Sequence, residues 1–260
     1  MEIQIKKTVK AGNSSAVILP RAWLNREVRV ELIEKNPKKI LEDTINIISR
    51  HIDIEEIIGI YLAGSYARNE EDENSDIDLL VITKNINKEM ISEGVYNILI
   101  ISSKLLEQKL SDNLFPIGQM IREAKPLINS SYIEDIKINV TKKNVKWHID
   151  TTDDKLKLIK EVIEKAKDKN RKFIYDRVIY TLILRIRTLD IIKKLMENKD
   201  YSKKEFIKKI KSVSGSVNAY ESYLSVKNNL ADKRKTKTEE AERLYDYLKL
   251  QLIDIKKRIR

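Results

Sequence analysis

The rhythm of apolar positions changes three times along the chain. Over the first 34 residues, Ile3, Ile5 and Val9 begin an alternating pattern that Gly12-Asn13-Ser14-Ser15 interrupts with a turn signal. Val17-Ile18-Leu19 reads as a short strand that Pro20 ends. Arg21-Ala22-Trp23-Leu24 reads as one helical turn led in by that proline. Val28, Val30 and Leu32 alternate again as a closing strand. So short a β unit buries little core alone, so it is expected to dimerise or to lean on the next domain.

From residue 37 the period lengthens. Ile40, Leu41, Ile45, Ile47 and Ile48 predict a helix over 37–50. Compact apolar runs at 57–62, 76–82 and 96–101 predict three strands, with helices at 104–109 and 117–124. Ile136-Lys137-Ile138-Asn139-Val140 alternates and predicts an edge strand. Short links between helix and strand point to one small sheet in an α+β arrangement. After Trp147-His148 only helical spacing remains. Thr151 or Thr152 is expected to cap the first helix, with Asp153 and Asp154 in its first turn. Further helices are expected at 171–197, 202–212, 217–229 and 238–258, with Gly215 as a break. The expected fold is thus α+β with an all-helical C-terminal domain. The expected domains are 1–35, 36–148 and 149–260.

Charge divides along the same boundaries. The chain carries 51 Lys and Arg against 40 Asp and Glu, a formal net charge of +11. The first 35 residues hold +3, residues 36–150 hold −5, and the remainder +13. A basic tail reads either as a surface for phosphate, nucleic acid or an acidic partner, or as a solvated lysine-rich helical face. With no cysteine there are no disulfides and no thiolate metal ligands, which fits a reducing cytoplasm. No stretch approaches the roughly 20 apolar residues of a membrane helix.

The candidate chemistry lies in Leu62-Ala63-Gly64-Ser65-Tyr66-Ala67-Arg68-Asn69-Glu70 and Asn74-Ser75-Asp76-Ile77-Asp78-Leu79-Leu80-Val81. A triphosphate needs backbone it can approach closely, and Gly64 lacks the side chain that would prevent it. The Ser65 hydroxyl adds a donor. Residues two apart on a strand face the same side, so Asp76 and Asp78 project together while Ile77 turns to the core. Two neighbouring carboxylates repel unless a cation lies between them, and magnesium prefers oxygen ligands shared with substrate phosphates.

In this order and spacing, these residues resemble the motif of the polymerase β-like nucleotidyltransferases, above all their minimal prokaryotic members, often paired with HEPN-type toxins. The resemblance implies that Gly64, Ser65 and Arg68 bind the triphosphate, and that Asp76 and Asp78 are catalytic and hold Mg2+. For Arg68 an ordinary surface arginine is the alternative. The implied reaction moves a nucleoside monophosphate, AMP from ATP in the first instance, onto a hydroxyl. The implied acceptor is a protein tyrosine of a partner toxin, with RNA or a small molecule as alternatives. Two departures stand out. Asn69 replaces the glycine that commonly follows the arginine. The strand at 96–101 lacks the third acid of active members, with Asn97 or Leu99 at its place and Glu93 just before.

Lys6-Lys7-Thr8-Val9-Lys10-Ala11-Gly12-Asn13-Ser14-Ser15, Val17-Ile18-Leu19-Pro20 and Val28-Arg29-Val30 resemble the swapped-hairpin AbrB-type DNA-binding domains. That likeness implies a homodimer whose Lys6, Lys7, Lys10 and Arg21 touch DNA phosphates. It opens a second function class: a DNA-binding regulator or antitoxin with a weakened nucleotide-binding domain. His51 and His148 stand at no metal-ligand spacing and read as structural. The tail lacks the Arg-to-His spacing of HEPN ribonucleases. Its tyrosines read as packing residues.

Overall fold

The computed structural model describes residues 4–6, 8–32, 35–73 and 75–259. They form two compact units. The first runs to Glu107 and resumes over Glu123–Lys137; the second takes Gln108–Arg122 and the chain from Ile138 on.

The first unit begins with a small hairpin, β1 (Val9–Ala11) and β2 (Ser14–Ala16), closed at Gly12-Asn13. Arg21–Trp23 makes the single helical turn that Pro20 announces. The strands expected at 17–19 and 28–32 do not form. Ile18, Leu24, Val30 and Leu32 stay largely exposed, so no packed surface rewards an extended backbone there. Ile5 packs within the same unit: it is buried, its N–H donates to Glu93, and it fills the space above Gly94.

Helix α1 (Pro37–Ile48) starts where Asn36 accepts the Lys39 N–H, with Pro37 in the first turn, where its missing donor costs nothing. Strand β3 (Ile57–Ala63) leads directly into the single turn α2 (Gly64–Ala67). Next come β4 (Ile77–Thr83), β5 (Ile91–Glu93) and β6 (Tyr96–Ser102). Helices α3 (Ser103–Asp112) and α4 (Ile117–Glu123) precede β7 (Lys125–Ile128) and the short α5 (Ser130–Glu134). The sheet order is β5-β6-β4-β3-β7, with β4 and β6 parallel and the other pairs antiparallel.

Alternation along β4 sorts its two faces. Ile77, Leu79 and Val81 are buried with Ile40, Ile47 and Ile48 of α1, and with Ile98 and Ile100 of β6. Each fully buried aliphatic side chain there is worth about 1.5–3 kcal/mol. Asp78 therefore projects from the opposite face, with Leu80 and Ile82. The edge strand is β7, not residues 136–140. Pro126 is tolerated in β7 because an edge position need not donate to a ladder. Residues 136–140 do alternate in burial, but Ile138 and Val140 pack on the helical core and no strand pairs with them.

The second unit is helical: α6 (Lys142–Asp168), α7 (Asp176–Met196), α8 (Lys203–Ser214), α9 (Asn218–Lys227) and α10 (Thr238–Arg258). Helix α6 starts ten residues before the expected threonines, at a capping box between Thr141 and Asn144. Thr151 and Thr152 lie inside it, their hydroxyls bonded back to the Trp147 and His148 carbonyls. Gly215, at φ +82°, ends α8 in the left-handed conformation a glycine supplies cheaply.

Candidate active site

The antiparallel register places Asp78 opposite Ala63, so its carboxylate lies beside Gly64 at the β3–α2 junction. A Cβ on Gly64 would lie 2.2 Å from Asp78 Oδ2, and Gly64 has φ +67°. A side chain here would push the Asp78 carboxylate aside and strain the backbone, so glycine is favoured on both counts. Asp76 is exposed just before β4, and Asp78 is half-buried within it. Ser65 is half-buried in α2, and its carbonyl accepts the Glu70 N–H at 2.9 Å.

Arg68 is not a solvated surface residue. Its Nε donates to Glu70 at 3.2 Å and its Nη1 to Glu123 at 2.5 Å. All three side chains are nearly buried, at 11%, 8% and 6% exposure. The second Glu123 oxygen accepts the Gly64 N–H at 2.8 Å. Glu123 was not legible in the sequence: it ends α4, 59 residues from Gly64, and no spacing signal connects them. Asn69 sits at φ +52°, the left-handed conformation asparagine tolerates, and its Oδ1 accepts from Lys125 at 2.7 Å.

The parallel register sets Asn97 opposite Asp78 and Leu99 opposite Leu80. The Asn97 amide donates to Asp78 at 3.5 Å, and its carbonyl accepts the Ser92 hydroxyl at 2.9 Å. Glu93 does not take the missing acid's place. It lies on β5, paired with Arg50 at 2.8 Å. Among the described residues no group of three His, Asp or Glu side chains is placed to hold a metal ion. Asp78 thus has an amide beside it, and Asp76 lies exposed two residues before it.

Lys6, Lys10 and Arg21 are exposed around the N-terminal hairpin, and Lys7 lies outside the described residues. The tail tyrosines other than Tyr175 are buried or half-buried, with Tyr180 and Tyr220 stacked on Tyr223, while Tyr175 is exposed with Arg234 over its ring. Lys233 and its neighbours are pinned rather than free. Asp176 is buried and accepts the Lys233 N–H at 2.8 Å and the Ser222 hydroxyl at 2.7 Å, while Thr236 is buried and Lys235 pairs with Glu221. His148 packs between Phe115 and Trp147, its Nε2 3.3 Å from Asn113. Burial, then the Arg185 charge, lowers its pKa to about 4. It is a neutral core histidine.

Strand β3, the Gly64-Ser65 turn, and β4 with Asp76 just before it and Asp78 within it stand in the order of the nucleotidyltransferase motif. The family model for the nucleotidyltransferase domain matches residues 38–246, and the chain belongs to that family. No curated protein matches the chain. Among solved structures, it is similar to a nucleotidyltransferase-like protein from Exiguobacterium sibiricum, at 12% identity and a TM-score of 0.37, over 83% of this chain and 75% of that one. It is also similar to the spectinomycin adenyltransferase AAD(9) from Enterococcus faecialis with ATP and spectinomycin, at 15% identity and a TM-score of 0.37, over 81% and 98% of the two chains. No helix among the described residues is long and apolar enough to cross a membrane.

Proposed function

We propose that the protein transfers AMP from ATP, with magnesium, to a hydroxyl acceptor, and that the acceptor is a tyrosine of a partner toxin. The observation that carries the reading is the close approach of Asp78 to Gly64, where any side chain would meet its carboxylate and the backbone has positive φ. Bare backbone and a carboxylate share one spot, which a metal-bound triphosphate requires and a plain β-turn does not. Gly64, Ser65 and Arg68 bind the triphosphate. Asp76 and Asp78 fit magnesium, which takes one or two carboxylates and completes its shell with phosphate and water. When bound, the ion neutralises the triphosphate and polarises its α-phosphate.

The acceptor oxygen attacks the α-phosphorus as the bond to the bridging oxygen breaks, and pyrophosphate leaves with that electron pair. The hydroxyl proton passes to Asp78, the carboxylate nearest the reacting phosphate in this reading. Asn97 cannot accept it, which favours a slow enzyme. The helical domain, residues 149–260, holds the acceptor, and the cysteine-free composition supports work in the reducing cytoplasm.

Label from α-labelled ATP is followed into the protein, its source lysate and RNA, with Asp76→Asn as control. A labelled species that disappears in the control supports the reading and identifies the acceptor class. No transfer from any of the four NTPs, by protein that still binds ATP, sinks it.

A second reading draws on the N-terminal unit, residues 1–35. Lys6, Lys10 and Arg21 are exposed there beside the apolar Ile18, Leu24 and Val30, also exposed. A homodimer formed through that segment would bind DNA and regulate transcription, with a degenerate nucleotide site. Salt-dependent DNA binding lost in Lys6→Ala/Lys10→Ala, with transfer intact, separates the two roles.

A further inference from the structure

The groups assigned to the triphosphate already hold an anion of the protein's own. One Glu123 oxygen accepts the Gly64 N–H at 2.8 Å and the other accepts Arg68 Nη1 at 2.5 Å. The Glu123 side chain is 6% exposed, so this is a seated carboxylate and not a passing surface contact. Arg68 is further satisfied by Glu70 at 3.2 Å. Asp78 borders Gly64 from β4, so the carboxylates of Asp78, Glu70 and Glu123 surround the turn against the one Arg68 guanidinium. A phosphate oxygen and a carboxylate oxygen make the same demand on an N–H and a guanidinium, and both cannot have it.

We propose that Glu123 is an internal competitor for nucleotide, a gate that a metal-bound triphosphate must displace from Gly64 and Arg68 before it seats. The proposal rests on the nucleotide reading above. Glu123 is well placed to yield. It is the last residue of α4, with only Ala124 between it and β7, and Lys125 on that strand already holds Asn69 at the far side of the turn. Displacement exchanges one pair of charge-assisted bonds for another, and the metal offsets the charge those carboxylates oppose. The apparent affinity for nucleotide falls in proportion to the fraction of molecules with the gate shut. The gate also makes the protein selective. An anion without a bound divalent ion meets these carboxylates uncompensated, whereas the metal-loaded triphosphate brings positive charge to them.

The test is calorimetric titration of the full-length protein with ATP and Mg2+, for wild type, Glu123→Gln and Glu123→Asp. Gln still accepts the Gly64 N–H but gives up the charge that holds Arg68. Asp keeps the charge but withdraws its oxygens by one methylene. Each is expected to bind about tenfold tighter than wild type, the scale of one lost charge-assisted hydrogen bond. Circular dichroism decides which variants have folded. Equal or weaker binding by a folded variant overturns the gate and makes Glu123 a plain brace for the turn. If wild type and folded variants bind none of the four triphosphates, the nucleotide reading fails and the gate falls with it.

Discussion

Asn97 stands directly opposite Asp78 across the parallel β4–β6 pair, its amide 3.5 Å from the Asp78 carboxylate. The chain thus places a neutral donor on the face where a further acid would stand beside the pair. Asn97→Asp changes only charge and proton capacity at that spot. Nucleotidyl transfer is expected to rise by about 10²-fold, the lower end of what a positioned base contributes. Steady-state kinetics with ATP and magnesium check it; an unchanged rate would falsify a limiting role for the missing acid.

Gly64→Ala should be among the most damaging small substitutions in the protein. The new Cβ would lie 2.2 Å from Asp78 Oδ2, at a backbone φ of +67° that alanine resists. Transfer is expected to fall at least about 10²-fold, the scale on which a misplaced reacting group costs rate. Stability is expected to drop by about 1–3 kcal/mol. Urea unfolding and label transfer measured on one preparation give both numbers. Full activity in the variant would remove the close approach from the argument.

Asp78→Asn and Asp76→Asn are expected to abolish magnesium-dependent transfer while leaving the sheet intact, because Asp76 is exposed before β4, Asp78 is only half-buried, and Asn keeps the shape of each. The midpoint of thermal unfolding should shift by a few degrees at most. A large loss of stability would mean that the pair is structural.

The His148 ring gives a pH dependence with a definite sign. Its pKa is lowered from 6.5 to about 4 by burial and by Arg185. Below pH 6.5 the unfolded chain takes up a proton that the folded chain refuses until about pH 4. The unfolded state therefore binds more protons in that window, and stability falls as pH falls through it. The full effect is roughly 3 kcal/mol. His148→Gln should flatten this part of the stability–pH curve, measured by urea unfolding at pH 7, 5.5 and 4.5. A curve of unchanged slope would assign the dependence to other groups.

Much was readable before any fold was known, and for one reason. Buried strands and amphipathic helices write their periods into consecutive residues, so the runs at 57–62, 76–82 and 96–101 announced β3, β4 and β6. The glycine and the Asp pair could be proposed from sequence because residue type at short spacing sets what such a site would hold. What failed was what depends on a neighbour. Residues 136–140 alternate as a strand does, yet form none because no sheet edge meets them. Lys125–Ile128 lacks a strong pattern and forms one because β3 offers it an edge. Thr151 and Thr152 look like caps, but Thr141 and Asn144 cap first.

The site divides in the same way. Residue types at 64, 76 and 78 suggested a phosphate-and-metal site from local sequence, and Gly64 and Asp78 meet where β3 and β4 pair. Only the tertiary structure decided that Asn97 faces Asp78, that Arg68 is held between Glu70 and Glu123, and that Glu123 caps the Gly64 N–H. Sheet register and the return of α4 bring those groups together from positions up to 59 residues apart. Hydrogen bonds and charge act over a few ångströms in space, so no sequence period records them.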